Sequence, residues 1–385
     1  CISCGSCASV CRGLKHQYEK LPDRAAVQGN VLLSCNAWSK SSDVRRISAS
    51  GGVVSTLVHQ LLESGIYDIA FLVDSYDYHQ QLSTKPVTIQ EMKDVVSSSY
   101  PKSRYLPVSH ENAIAYVKNN RMKRVIFVGT SCAVRGFKSA VKKLHLPEEN
   151  YLLIGLFCDR VFNYNVMAYY QQPAFCGEKK LENLHFKNKE SGGWPGNMKF
   201  YFSDGSIAYQ DKSERTKVKD YFMSERCLYC IDKLNVCADI SLGDNYTQQD
   251  SSPLGSNSVI IRTEQGLAAW ERTASLLESR EISVNQIMEA QYVDWRLNNL
   301  CYGKLKEQEI LKKTGQEIVL NVNVMTNRKT QEYQNRWKSN IQMLHAGEMY
   351  DIHPEELQKQ MVKNKKKQKP GMIRKLFSKV YHLIR

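Results

Sequence analysis

The chain has 385 residues, 42% of them hydrophobic and 24% charged, which describes a globular protein long enough for two or more buried cores. No run of 18 apolar residues occurs, so the sequence offers no membrane-spanning helix and no leader pattern. The net charge of +14 suggests nucleic acid only until it is localised. Ten Lys/Arg and no acidic residue fall between Lys359 and Arg385, and the remainder carries +4. We therefore expect no nucleic-acid partner.

The chain opens on Cys1-Ile-Ser-Cys4-Gly-Ser-Cys7-Ala-Ser-Val-Cys11. The spacing C-x2-C-x2-C-x3-C is that of a bacterial ferredoxin run, in which three thiolates wrap one face of a [4Fe–4S] cluster. Structural zinc is the other chemistry such a run supports. By ferredoxin topology Cys1, Cys4 and Cys7 share one cluster and Cys11 reaches for a second. The run then reads as the second half of a two-cluster module, in a fragment of a longer chain. The twelve cysteines are bunched, four in 1–11 and three in 227–237, which favours metal over disulfides and a reducing, cytoplasmic setting.

Residues 12–35 read as polar and irregular. Ser48-Ala-Ser50-Gly51-Gly52 then opens a helix over 53–62, with apolar residues at 3.6 spacing and Gly65 as its stop. A Ser/Gly loop entering a helix suits a phosphate, or it is simply a tight turn with an N-cap. Ile69–Val73 is a buried strand. A helix over His110–Asn120, a strand over Arg124–Val128, a turn through Gly129-Thr-Ser-Cys132 and a helix over Ala133–Lys143 follow. Tyr151–Phe157 is a strand ending on Cys158, with a helix to about Tyr170. This alternation predicts an α/β fold with a mainly parallel sheet. Cys132 and Cys158 then sit at carboxyl ends of strands, where such sheets bind ligands.

From 181 to 222 the pattern becomes hairpin-rich. A strand at 257–262, a helix over Thr263–Leu277 and mostly helical sequence to about 345 complete the body. Cys227-x2-Cys230-x6-Cys237 supplies three soft ligands on one loop, for iron–sulfur or for zinc, with Cys132 or Cys158 as the fourth. Three such cysteines also occur without metal. His59, His185 and the other histidines read as structural, and Cys35, Cys176 and Cys301 as packed or free thiols. The C-terminal tail reads either as a basic interfacial helix at an anionic membrane or as a charged linker with a helix packed on the body.

Taken in order, SASGG, FVGTSC, LFCD, NKESGGW, CLYC and ADISLGD make the chain resemble the coenzyme F420 hydrogenase/dehydrogenase beta-subunit family, from about Asn36 to Glu289. The resemblance implies a flavin- and [4Fe–4S]-containing oxidoreductase passing electrons between clusters, FAD and a small-molecule two-electron acceptor. It also implies a redox partner protein or ferredoxin-like donor, and an association of bacterial members with cell-surface polysaccharide biosynthesis. On this reading Cys1, Cys4, Cys7, Cys11, Cys132, Cys158, Cys227, Cys230 and Cys237 are metal ligands. Ser50, Gly51 and Gly52 face flavin phosphates, and Lys187 and Lys189 face anionic groups of flavin or substrate. The family's G-T-P-C-Q stands here as Gly129-Thr-Ser-Cys132-Ala133, and L-F-C-H-G as Leu156-Phe-Cys158-Asp159-Arg160. The thiols persist while the pocket wall changes. The expected organisation is a partial ferredoxin-type module at 1–35, the two parts of the family domain at 36–115 and 116–295, a helical extension at 296–350 and the basic tail at 351–385.

Overall fold

Three uninterrupted apolar runs become adjacent parallel strands, because each is covered on both faces. The computed structural model describes residues 24–73, 82–92, 103–228, 230–297 and 327–364. In chain order the elements are α1 (Arg24–Gln28), β1 (Leu33–Ser39), α2 (Ser42–Ile47), α3 (Val53–Glu63), β2 (Ile69–Val73), β3 (Thr84–Val87) and α4 (Ile89–Met92). Then come α5 (Glu111–Asn119), β4 (Val125–Thr130), α6 (Ser131–Lys143), β5 (Tyr151–Leu156), α7 (Asn165–Tyr170) and α8 (Pro173–Cys176). The hairpin region forms β6 (Leu181–Asn188), β7 (Asn197–Phe202), β8 (Ile207–Gln210) and α9 (Lys212–Val218). The chain returns through β9 (Ile240–Asp244), β10 (Asn257–Ile261), α10 (Glu264–Glu271), β11 (Leu277–Glu281) and α11 (Val284–Ala290), with α12 (Asn327–Glu348) beyond.

An eight-stranded sheet runs β11-β1-β10-β9-β5-β4-β2-β3. Its centre, β9-β5-β4-β2, is parallel, whereas β3 and the β11-β1-β10 wing are antiparallel. The expected parallel arrangement therefore holds at the centre only. Strand periodicity divides the cores. Ala70, Leu72, Ile126, Val128, Leu152 and Ile154 face α3 and Trp270 of α10, while Phe71, Phe127 and Leu153 face α5 and α6. A second sheet, β6-β7-β8, packs its aromatic face with α7 and residues following α12.

The structure departs from the sequence reading at identifiable places. β1, β3 and β11 were not expected. The helix beginning at Thr263 stops at Glu271, and Leu277 opens a strand. α6 starts at Ser131 directly after β4, so Cys132 lies in a first helical turn and not on a separate loop. The sheet takes strands from both sides of residue 116, so a division there is one of sequence, not of fold. Cys1, Cys4, Cys7, Cys11, Cys301 and the tail beyond residue 364 lie outside the described residues. Among the described residues no helix is long and apolar enough to cross a membrane.

Candidate functional site: a thiol cluster on a large cavity

A cavity of about 980 Å³ opens at the carboxyl ends of β2, β4, β5 and β9. That is where open α/β sheets place ligands, and the volume is at the upper end for small-molecule sites. Its wall includes Ser48, Ser50 and Gly52 at the start of α3. Gly52 is the N-cap at φ 81°, with no side-chain cap on the first turn, so the leading amides of this eleven-residue helix keep their donor capacity. Gly51 is not part of the lining. It is pressed into the sheet, where an added Cβ would stand 2.7 Å from Asn257 Oδ1 and 2.9 Å from the Ala37 carbonyl. Ser50 Oγ donates to the Ser256 carbonyl at 2.7 Å.

The two candidate lysines have different fates. Lys189 Nζ donates to the carbonyls of Ser50 (2.8 Å), Leu254 (2.6 Å) and Arg45, which ties the α3 loop to two other segments. Lys187 lines the cavity as one half of a buried ion pair with Asp244. Asp244 also accepts from Tyr246 Oη at 3.0 Å. Burial pulls the Lys187 pKa down and pushes that of Asp244 up, and the opposite charge more than reverses each.

Three thiols lie within electrostatic reach of Cys158, just past β5: Cys132 on the first turn of α6, and Cys227 and Cys230 on the segment before β9. Cys132 and Cys158 line the cavity. Burial raises the Cys158 thiol well above its usual range, and negative charge on Cys132, Cys227 and Cys230 raises it further. Cys227 is pushed up to about 11, chiefly by burial, with Cys230 and Cys132 contributing. Cys237 does not figure in this electrostatic group; it packs beside Ala238 against the α5/α6 core. Among the described residues no cysteine forms a disulfide, and no three His, Cys, Asp or Glu side chains stand close enough to share one metal ion. Cys35 and Cys176 are buried in apolar cores, as packed thiols should be.

The loop carrying Cys227 and Cys230 is pinned to α6. Ser131 Oγ donates to the Asp232 carbonyl at 2.7 Å, Arg135 pairs with the Asp232 carboxylate at 2.7 Å, and Asn235 Nδ2 donates to the Gly129 carbonyl at 3.0 Å. Around the thiols stands a cationic shell that sequence patterns did not flag. Arg296 Nε donates to the Cys230 carbonyl at 3.0 Å, and its NH1 pairs with Asp159 at 3.0 Å. Arg160 pairs with Asp159 and Asp220. Burial works to raise the Asp159 carboxyl, and Arg160, Arg296 and Lys233 overcome it and hold it below the carboxylate range. Lys233, three residues after Cys230, donates to the Gln291 carbonyl at 2.6 Å and is lowered by burial to about 8. The Asp159-Arg160 pair, which departs from the family's His-Gly, was visible in the sequence. Arg296 carried no local signal, because it acts across 66 residues.

The rest of the wall is largely apolar. His110 lies against Phe127, with 5.3 Å between ring centroids, and burial lowers its pKa to about 4. Gly136 faces the cavity from the middle of α6, and a Cβ there would meet nothing within 4 Å.

The sheet's ligand-binding end thus gathers thiols and the buried cations Lys187 and Arg296 around one cavity. The coenzyme F420 hydrogenase/dehydrogenase beta-subunit family matches over residues 35–115 with its N-terminal domain and 122–289 with its C-terminal domain. The chain belongs to this family of oxidoreductase subunits. An uncharacterised protein of Nostoc sp. (strain PCC 7120) is 20% identical over 241 residues, 60% of this chain and 54% of that one. The chain thus spans about half the length of that curated relative. A chain of the F420-reducing [NiFe] hydrogenase complex from Methanosarcina barkeri superposes with a TM-score of 0.56 at 16% identity, covering 75% of this chain and 96% of its own length. That likeness is one of fold.

Proposed function

We propose that the chain is an iron–sulfur flavoprotein that carries electrons between [4Fe–4S] clusters and FAD, and on to a two-electron acceptor. One observation carries the reading: Cys132 and Cys158 line the same 980 Å³ cavity that contains the uncapped start of α3, with Cys227 and Cys230 within electrostatic reach of Cys158. The donor set fits. Burial and neighbouring thiol charge raise Cys158 and Cys227, so a metal bound by these two would have to displace their protons. Arg296 and Lys233 offset the negative charge that a four-thiolate site acquires. A [4Fe–4S] group held by Cys132, Cys158, Cys227 and Cys230 supplies one-electron transfer, and FAD couples such steps to a two-electron acceptor.

The remaining roles belong to side chains and backbone already described. The α3 amides receive a phosphate, Lys189 fixes the loop that presents them, and Gly136 leaves room for a flat ring against α6. The Lys187–Asp244 pair keeps a polar patch in an otherwise apolar wall. A redox protein outside the chain supplies or removes single electrons. The test is anaerobic purification and reconstitution with iron, sulfide and FAD, followed by metal, sulfide and flavin analysis. We expect a brown protein with bound flavin, and loss of about one cluster's iron in Cys158→Ser. Colourless protein, or one equivalent of zinc without acid-labile sulfide, overturns the reading.

A further inference from the structure

β8 lies at the end of the small sheet's order β6-β7-β8. It sets Gln210, Tyr209, Ala208 and Ile207 opposite Met198, Lys199, Phe200 and Tyr201 of β7. The hairpin closes with the Phe202 N–H donating to the Ser206 carbonyl at 3.0 Å. Antiparallel ladders alternate from such a pair, so Ala208 and Gln210 direct their N–H and C=O groups at β7. Those of Ile207 and Tyr209 point away from it, and no hydrogen bond among the described residues takes them up. The side chains alternate too. Ala208 packs on the aromatic core, while Ile207 and Tyr209 are 49% and 38% exposed. Tyr209 is fixed in place by its hydroxyl, which donates to Glu190 at 2.7 Å, and by Lys199 Nζ, 5.6 Å from its ring centroid.

Both edges of the eight-stranded sheet are guarded. β11 reads Leu277-Glu-Ser-Arg-Glu281, and β3 carries Lys85 and Pro86. Charge and proline on an edge strand discourage pairing with another chain. β8 reads Ile207-Ala-Tyr-Gln210 and has neither. The charges beyond its two ends are opposite in sign. Asp204 is half-exposed beyond its pair with Lys179, and Lys212 is exposed. Asp211, beside Lys212, is engaged as the N-cap of α9. Turning a copy of β8 about a two-fold axis at Ala208 sets Ile207 of each copy against Tyr209 of the other. The same turn sets Asp204 of each copy towards Lys212 of the other. The edge is therefore self-complementary in backbone, side chain and charge.

We infer that β8 pairs antiparallel with β8 of a second copy of this chain, two-fold about Ala208, and so doubles the small sheet. Ile207 and Tyr209 exchange N–H···O=C bonds across the seam, as strand addition at an open edge requires. On the outer face each Ile207 packs on a Tyr209, an apolar–aromatic cross-strand pair of the favourable kind. β6, at the far edge of each small sheet, carries Lys187 to the cavity. The doubled sheet then runs unbroken between the β6 strands of the two copies, over about 24 Å at the usual strand spacing.

Sedimentation velocity of the full chain over a range of micromolar concentrations tests this. We expect twice the mass of one chain at the upper end, falling to the single mass on dilution. Ile207→Pro removes an outward N–H and leaves the ladder to β7 intact, since proline is tolerated where an edge N–H faces away from the sheet. That variant should sediment as a monomer throughout, with an unchanged melting temperature. A wild type that is monomeric throughout, or an Ile207→Pro chain that still dimerises, overturns the inference. Amide exchange gives a readout that does not depend on any variant's folding. The Ile207 and Tyr209 amides of the wild type should exchange more slowly as its concentration rises, and those of Ala208 and Gln210 should not change. Protection at Ile207 and Tyr209 that ignores concentration means that the edge is covered within one chain. That result, or slowing shared equally by Ala208 and Gln210, overturns the pairing.

Discussion

His110 shows how much one buried side chain dictates. Its Nδ1 is buried without a hydrogen-bond partner, its ring meets Phe127 edge-on, and burial alone lowers its pKa to about 4. The folded protein therefore holds neutral imidazole at pH 7. The unfolded chain takes up a proton near the ordinary value of about 6.5. Between those values the unfolded state binds more protons, so the stability linked to His110 is full above about pH 6.5 and is lost as pH falls towards 4. By pH 4.5 that loss is on the order of 2–3 kcal/mol. Urea titrations at pH 7 and pH 4.5 should show a smaller difference for His110→Phe than for the wild type. An unchanged difference would sink this account. The sequence reading of the histidines as structural holds for His110 in its ring packing, but nothing local marked it as part of the cavity wall.

At the scale of elements, the end of β6 separates what was legible from what was not. Lys187-Asn-Lys189 reads naturally as two cations waiting for an anion. The structure occupies both, because their partners lie 57 to 144 residues away in sequence. Lys189 alone satisfies three carbonyls from two other segments, and charged hydrogen bonds contribute about 1.5–3 kcal/mol each. Lys189→Met should therefore destabilise the fold by at least about 3 kcal/mol in urea unfolding at pH 7. A cost below 1 kcal/mol would return Lys189 to the list of ligand-binding residues. The same logic explains the strands. β2, β4 and β5 were readable because sheets covered on both faces demand continuous apolar runs. β1 was not, since Ser34, Asn36 and Ser39 are buried on partners found only in three dimensions: the Ile282 carbonyl for Ser34, Thr247 and Ser258 for Asn36, and Thr56 for Ser39. Cys132, Cys158, Cys227 and Cys230 were all legible as candidates. That Cys237 stands apart follows from the Asp232–Asn235 corner, which is pinned to α6 and turns the following residues into the core.

Across the whole molecule the proposed thiol site draws on three separate parts of the chain. Cys132 belongs to one βα unit, Cys158 to the next, and Cys227 and Cys230 to the segment that leads from the small sheet back to β9. Without metal, desolvation and neighbouring thiol charge raise Cys158 and Cys227, and Arg296 and Lys233 stand nearby with partial compensation from Asp159. Iron held by the proposed thiols would join three parts of the chain, and ligand binding to the folded state alone stabilises it by mass action. A hundredfold excess over the dissociation constant adds about 2.7 kcal/mol. The anaerobically reconstituted chain should therefore melt on the order of 5 °C above the metal-free chain. Cys158→Ser should remove most of that difference, because Cys158 is the thiol acted on by all three others. Cys237→Ser should keep it. An equal loss of the difference in both variants would show that the group of four has been drawn wrongly, and that Cys237 belongs with the ligands.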